Sequence, residues 1–226
     1  MIGRPRRHHA TIGSTSDVAR ELAVAGAPHG ALVTAGAQTA GRGRQGRSWT
    51  TQPGSAIAMS LILRGASPLL TLAAAVAVAR ACGEHARIKW PNDVLVDDRK
   101  VAGILAETRP GEDWVVLGIG VNVAVRVEDL PEELRARAGT LGRPLAEVEP
   151  FLGSLLGELD RALALDDAAV LAAWRDRDAL LDSPIAWGEE RGTARGIDDD
   201  GHLVVERPDG STTTLHAGEV HLARTA

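Results

Sequence analysis

The residues best equipped for chemistry lie in one loop, Gly41-Arg42-Gly43-Arg44-Gln45-Gly46-Arg47-Ser48-Trp49, where three arginines and three glycines fall within seven residues. The whole chain carries a net charge of −5, so the loop is a local concentration of positive charge in an acidic protein. Glycines let the backbone approach a ligand and adopt conformations closed to other residues. Arginines present planar, permanently charged forks that match carboxylate and phosphate oxygens. Followed by an aromatic, these residue types suit a small, flat, polyanionic molecule.

Three other readings of this loop stand beside that one. Gly41 to Ser48 nearly spells a phosphate loop with Arg47 in the lysine position, but the segment after it, Trp49 to Gly54, reads as loop where that motif needs a helix N-terminus. Arginine–glycine tracts also bind RNA, though such tracts are usually long and this one lies between two apolar strands. A solvated basic turn is the third.

Three further clusters carry candidate side chains. In Lys89-Trp90-Pro91-Asn92-Asp93 the proline fixes its own backbone and restricts Trp90. The Asn-Asp pair suits a turn, and Asp93 could orient the lysine or hold a metal. In Arg99-Lys100-Val101-Ala102-Gly103-Ile104-Leu105-Ala106-Glu107, the small residues leave room for a ligand or another backbone, and Lys100 stands at the mouth of a strand. Gly118-Ile119-Gly120-Val121-Asn122 lacks the third glycine and the helix of a dinucleotide fingerprint. Its glycines instead mark close approach to a flat group, with a bulge as the plain alternative. No nucleophilic triad is present, Cys82 falls in an apolar helix and reads as inert, and the seven histidines show no metal-ligand spacing.

The elements that must position these groups follow from periodicity and punctuation. Residues 1–10 read as a loose basic segment. Ser14-Thr15-Ser16 caps a helix to about Ala25 with Val18, Leu22 and Ala25 on one face. Strands are predicted over 31–34 and 56–63, with the loop at about 36–54 between them. A nearly all-apolar helix spans 68–85. Short strands follow at 87–90 and 94–96, a turn at 97–100, and strands at 101–108 and 113–125. Helices are predicted over 147–165 and 168–181. After Ser183-Pro184 short strands recur near 194–197, 202–206 and 212–216, with turns at Asp198-Asp199-Asp200-Gly201 and Pro208-Asp209-Gly210. The chain thus divides into a mixed-sheet domain at 1–182 and a small β-barrel module at 183–226.

Bulk properties exclude several classes. The composition, 44% hydrophobic and 24% charged over 226 residues, is that of an ordinary globular chain of one domain plus a small module. With one Phe and no Tyr, the core must be built from Ala, Val, Leu and Ile. A single cysteine excludes an internal disulfide and a cysteine metal cluster and fits a reducing cytoplasm. No signal peptide or membrane-length apolar run is present, so a cytoplasmic protein with no membrane partner is expected.

Taken together and in order, these clusters resemble the biotin–protein ligases, which attach biotin to carboxylase carrier domains. The matching stretches are Ser14-Thr15, Gln38-Thr39-Ala40 leading into the Gly/Arg loop, 55–64, 89–93, 99–107 and 118–122. Gly196-Ile197-Asp198 and Ala217-Gly218-Glu219-Val220 are similar to that family's SH3-like terminal domain. The resemblance implies an α+β fold of the class II aminoacyl-tRNA synthetase/biotin ligase type, a mixed β-sheet flanked by helices with a small C-terminal SH3-like β-barrel. It implies a biotin site of Ser14, Thr15, Ser16, Gln38, Arg42, Gly43, Arg44, Lys100, Gly103 and Leu105. It implies an ATP and adenylate site of Arg44, Arg47, Trp49, Asn92, Asp93 and Asn122, with Trp49 and Asn122 at the adenine. Arg42, Arg44, Lys89 and Lys100 would be catalytic, and Asp93 would hold Mg²⁺. The family usually has Asn where this chain has Ser16, which puts that contact in doubt.

The chemistry so implied is activation of biotin by ATP to biotinyl-5′-AMP, then transfer to a lysine of a biotin carboxyl carrier domain of an acyl-CoA carboxylase. The Gly/Arg loop would close as a lid over the adenylate and be mobile without ligand. About a dozen residues precede Ser14, too few for the helix-turn-helix domain some members carry, so a monofunctional ligase with no DNA partner is expected. Monomer and homodimer are both open. The alternatives are a lipoate–protein ligase-like adenylating enzyme and a non-enzymatic RNA-binding module.

Overall fold

A computed structural model describes residues 2–50 and 52–222. Met1 of the basic segment, Thr51 of the loop and 223–226 of the C-terminal module lie outside the described residues.

The chain forms β1 (Arg6–Ile12), α1 (Thr15–Val24), β2 (Leu32–Gln38), β3 (Ala56–Arg64), α2 (Leu70–Cys82), β4 (Arg87–Lys89), β5 (Asp93–Val96), β6 (Arg99–Thr108) and β7 (Trp114–Asn122). The helices α3 (Glu132–Arg135), α4 (Val148–Leu163) and α5 (Asp167–Arg175) follow. The seven strands make one mixed sheet in the order β1-β2-β3-β7-β6-β5-β4, parallel only between β1 and β2. β3 is buried at every position but Arg64, as a central strand covered on both faces must be. α2 is apolar almost all round because it lies between the sheet and α4 and α5.

Register explains where the sheet leaves space. Ile57 pairs with Val121, Met59 with Ile119 and Leu61 with Leu117, and these large side chains join the α2 core. On the opposite face Ile62 and Val116 pack under α1 with Ala19, Ala23, Val33 and Trp114. Further along that same face the pairs become Ser60–Gly118 and Ala58–Gly120, extended on β6 by Leu105 and Gly103. Small side chains cannot fill the space beyond α1, and a cavity opens there.

The C-terminal strands β8 (Pro184–Trp187), β9 (Glu190–Ile197), β10 (Leu203–Glu206), β11 (Thr212–Leu215) and β12 (His221–Leu222) form an antiparallel sheet in the order β11-β10-β9-β8-β12. This is the small SH3-like module, but among the described residues its edge strands β11 and β12 do not pair, so the sheet is open where a barrel was expected. Ile185, Ala194, Ile197, Leu203, Val205 and Val220 belong to the same buried cluster as α2 and the large sheet. No helix among the described residues is long and apolar enough to cross a membrane.

Other expectations need correction. The basic segment contains a strand: β1 sits at the sheet edge with most side chains exposed, so Arg6-Arg7-His8-His9 shows no apolar alternation. The turn after β5 is only Asp97-Asp98, both with positive φ (50° and 58°), as a tight two-residue hairpin requires. Arg99 and Lys100 therefore begin β6. α5 ends at Arg175, because Arg177 and Ala179 turn away to hydrogen-bond Ile88 at the edge of β4.

Candidate active site

The cavity over the small-residue face has a volume of about 560 Å³. Its lining includes every residue of the expected biotin and nucleotide sites: Ser14, Thr15, Ser16, Gln38, Arg42, Gly43, Arg44, Arg47, Trp49, Lys89, Asn92, Asp93, Lys100, Gly103, Leu105 and Asn122. Among the described residues, six cationic side chains line it against three carboxylates, Asp93, Asp98 and Glu219, so its field favours anions.

The closed end is neutral. Ser14 stands at the N-cap of α1, yet its hydroxyl does not cap the helix. Thr15 donates to Gln38 Oε1 from both its backbone N (2.8 Å) and its hydroxyl (3.1 Å). Ser60, in the middle of β3, lies 2.9 Å from Thr15 Oγ1 and 3.1 Å from Ser16 Oγ. Ser16 rests above Gly118, where a Cβ would come within 3.2 Å of its hydroxyl oxygen. Ser14, Thr15, Ser16 and Ser60 are all buried. Sequence reasoning missed Ser60, although a lone hydroxyl within an apolar strand is the signal of a buried polar contact.

Of the two glycines in Gly118-Ile119-Gly120, Gly120, with its cross-strand partner Gly103, admits a flat group, and it is the chain's own Trp49. A Cβ on Gly120 would lie 2.4 Å from the Trp49 ring, and one on Gly103 would lie 3.2 Å from it. Trp49 is thereby laid on the sheet, with Lys100 Nζ 5.7 Å from its ring centroid. Asn122 donates to Gly139 O at 2.9 Å, and its Oδ1 is buried without a protein partner among the described residues. Residues 134–138, unassigned by sequence, supply a wall of the cavity through Leu134, Ala136, Arg137 and Ala138. Hydrogen bonds from Lys100 N to Arg137 O and from Gly139 N to Lys100 O hold this segment along β6.

The open end is charged. The Gly/Arg loop folds back on itself through Gly43 N to Arg47 O (2.7 Å) and Trp49 N to Gly41 O (2.9 Å). Gln45 and Gly46 turn it with positive φ (57° and 73°), which is what Gly46 is there to permit. Arg42 reaches Asp17 of α1 (2.7 Å) and Glu107 of β6 (3.2 Å), and Arg20 shares both carboxylates. Arg44 donates to Asn92 Oδ1 at 3.3 Å. Arg47 pairs with Glu219 of the C-terminal module at 2.6 Å. Lys100 pairs with Asp93 at 2.6 Å. Neither Arg42's acidic partners nor Glu219 was assigned a role from sequence. Half-exposed ion pairs like these contribute about 0–1 kcal/mol each, so an incoming anion can replace the carboxylates at little cost.

Burial pushes the pKa values of the Lys89 ammonium and the Arg44 guanidinium below their ordinary values, opposed in both by the charges of Asp93 and Glu219. Burial also drives Glu219 up, but the hydrogen bond and charge of Arg47, with His221 and Lys89, outweigh it and hold its carboxyl low. The C-terminal module therefore contributes an ionised carboxylate beside the strand that carries Lys89. Cys82 takes no part: burial pushes its thiol up to about 12. A second carboxylate group, Asp198 and Asp200 with His202, lies in a turn of the module away from this cavity.

The family profile described as Biotin/lipoate A/B protein ligase family matches residues 9–123, and Biotin protein ligase C terminal domain matches residues 188–222. The chain is 37% identical to the bifunctional ligase/repressor BirA of Bacillus subtilis over 93% of its own length and 72% of the relative's. It is 38% identical to the biotin--[acetyl-CoA-carboxylase] ligase of Paracoccus denitrificans, covering 89% of this chain and 94% of that one. The structure of biotin protein ligase from Aquifex aeolicus in complex with biotin and ATP superposes with a TM-score of 0.80 at 26% identity, over 98% of this chain and 100% of that one. From the first profile and from relatives so similar over nearly all its length, the chain belongs to the biotin/lipoate A/B protein ligase family.

Proposed function

We propose that this chain is an ATP-dependent biotin–protein ligase whose catalytic part is 1–182 and whose module at 183–226 completes the phosphate end of the site. The observation that carries the reading is one cavity with a neutral hydrogen-bonding floor and a cationic mouth. The floor, Ser14, Thr15, Ser16 and Gln38, takes the ureido ring. The mouth takes two anions that must meet, a carboxylate and a triphosphate.

In the first step a biotin carboxylate oxygen forms a bond to the α-phosphorus of ATP. The bond from that phosphorus to the β-phosphate oxygen breaks, and pyrophosphate leaves with the electron pair. Arg42, Arg44 and Lys100 offset the repulsion between the anions and stabilise charge growing at the phosphorus. Lys89 and Arg47 hold the leaving phosphates, with Glu219 giving way as they enter. Adenine lies by Trp49, and the unpartnered Asn122 Oδ1 suits its exocyclic amine. Asp93 fits Mg²⁺ delivered with the nucleotide, since that ion is commonly held by one or two carboxylates plus phosphate oxygens. When bound it would neutralise phosphate charge. In the second step a carrier lysine amine attacks the acyl carbonyl and AMP leaves, so no enzyme nucleophile is needed. The acceptor is the biotin carboxyl carrier domain of an acyl-CoA carboxylase.

The test is biotin-dependent exchange of labelled pyrophosphate into ATP, with Mg²⁺ and no carrier protein. Exchange with biotin and not with lipoate is expected. Exchange with lipoate alone would make the chain a lipoate-activating member of the family, and exchange with neither would remove the adenylation reading.

A further inference from the structure

Ser60 is fully buried beneath the cavity and not in its lining, yet it joins three of the floor residues, Thr15, Ser16 and Gln38, into a single hydrogen-bonded chain. The direction of that chain is fixed. Thr15 N–H donates to one end of the Gln38 amide, so that end is the oxygen, which only accepts. The Thr15 hydroxyl, 3.1 Å from the same oxygen, must therefore donate to it. Its own oxygen is then free to accept the Ser60 proton at 2.9 Å. With that proton so placed, Ser60 can only accept from Ser16 at 3.1 Å. Each hydroxyl has one proton, and all three are assigned. Ser16 consequently faces the cavity with lone pairs only. The other end of the Gln38 amide presents its N–H groups, under Gly41, where a Cβ would come within 2.9 Å of that nitrogen.

We propose that Ser60 is a positioning residue that sets substrate specificity: it takes the Ser16 proton and so locks Ser16 as an acceptor, beside the Gln38 donor that Thr15 N–H fixes. A floor so polarised matches a ring that carries N–H donors beside a carbonyl, which is a cyclic urea. It leaves its groups unpaired against an apolar ring such as a dithiolane, and unpaired buried groups are what discriminates strongly. The inference rests on the ligase reading above, because it takes the floor to be the biotin end of the cavity.

The experiment is equilibrium binding of biotin alone to the full chain, as wild type, Ser60→Ala, Ser16→Ala and the double variant, alongside the KM for ATP in pyrophosphate exchange. Each single variant should bind biotin about five- to tenfold more weakly, the effect of roughly one lost hydrogen bond, with the KM for ATP within about twofold. The double variant should be no more than about twofold weaker than the weaker single, because the hydroxyls act as one chain. Ser60→Thr, which keeps the hydroxyl, should stay within about threefold of wild type. Unchanged biotin affinity in Ser60→Ala, additive losses in the double variant, or an equal rise in the KM for ATP would overturn the proposal and leave the ligase reading standing. A wild-type chain that binds no biotin would overturn the ligase reading, and the role of Ser60 with it.

Discussion

The floor and the mouth of the cavity recognise by different physics. At the floor, Ser14, Thr15, Ser16 and Ser60 are at most 5% exposed, and the network carries no net charge. A hydrogen bond lost there is not replaced by water, so geometry decides which substrate is accepted. At the mouth, the side chains paired through Arg42, Arg47 and Lys100 are 21% to 47% exposed. Their ion pairs are screened and exchangeable, so they suit groups that must receive, hold and release phosphates. The contrast teaches that changes at the floor should act on one substrate, whereas changes at the mouth should act on rate and on the anions together.

The largest effect should come from Lys100, which stands between the two regions at the start of β6. Lys100→Met removes a cation from the proposed reacting centre and leaves Asp93 without its partner. Biotin-dependent pyrophosphate exchange should fall roughly 100- to 1,000-fold, with biotin affinity changed much less. A variant keeping more than a tenth of the wild-type rate would show that charge at the mouth is not organised around this lysine. Next is Gly120→Ala. The added carbon would meet the Trp49 ring at 2.4 Å, so the ring must move off the sheet. The KM for ATP should rise on the order of tenfold while biotin affinity at the floor stays within about threefold. Equal losses for both ligands would blur the division between floor and mouth.

The two regions were also unequally legible in the sequence. The Gly/Arg loop, Lys89 to Asp93 and Arg99 to Glu107 announce themselves because each is a local run of unusual residue types. Their partners do not. Glu219 lies 172 residues from Arg47, and nothing near it in the chain signals that it enters the site. Ser60 is one hydroxyl in an apolar strand, and only the register that sets it beside Gly118 and under Ser16 gives it meaning. The wall at 134–138 is short, with Leu134 and Ala138 packing on the small cluster of Ala56, Val125 and Leu130, and only the backbone hydrogen bond from Lys100 N to Arg137 O brings it to the site. β1 escaped, whereas β3 was read from its sequence. An exposed edge strand needs no hydrophobic face, whereas a central strand is apolar throughout. In the C-terminal module the turns were readable, but closure depends on which edge strands meet, and that is not encoded locally.

Smaller effects sharpen the account of the mouth. Glu219→Gln removes the partner of Arg47 and frees one side of the Gly/Arg loop. Because a half-exposed pair is worth about 0–1 kcal/mol, tryptic cleavage within the loop of the unliganded chain should speed up by no more than about fivefold. With biotin and ATP bound, wild type and variant should be cleaved equally slowly if, as proposed, phosphates then hold Arg47. Identical cleavage of the two unliganded chains would mean that the module does not restrain the loop.

The smallest effect concerns the support behind the mouth rather than the mouth itself. Asp178 lies on the segment that hydrogen-bonds Ile88, next to Lys89, and burial raises its carboxyl from 3.8 to about 6. One of its oxygens accepts from Leu180 N at 2.7 Å, and the other is buried without a partner among the described residues. A raised folded-state pKa means that the folded chain binds this proton more tightly than the unfolded chain. The stability it contributes is complete below the unfolded value of 3.8 and is lost as pH rises through about 6. Asp178→Asn keeps an acceptor for Leu180 and never ionises. Above pH 7 the variant should be more stable than wild type by about 1–2 kcal/mol, less than the full shift implies because the group is only partly buried. That advantage should shrink steadily between pH 6 and pH 4. Thermal melts across this range should show a Tm gap of roughly 2–6 °C at neutral pH closing in acid. A gap independent of pH would mean that the variant acts through packing and that the Asp178 carboxylate is solvated, leaving the edge beside Lys89 less buried than its hydrogen bonds to Arg177 and Ala179 require.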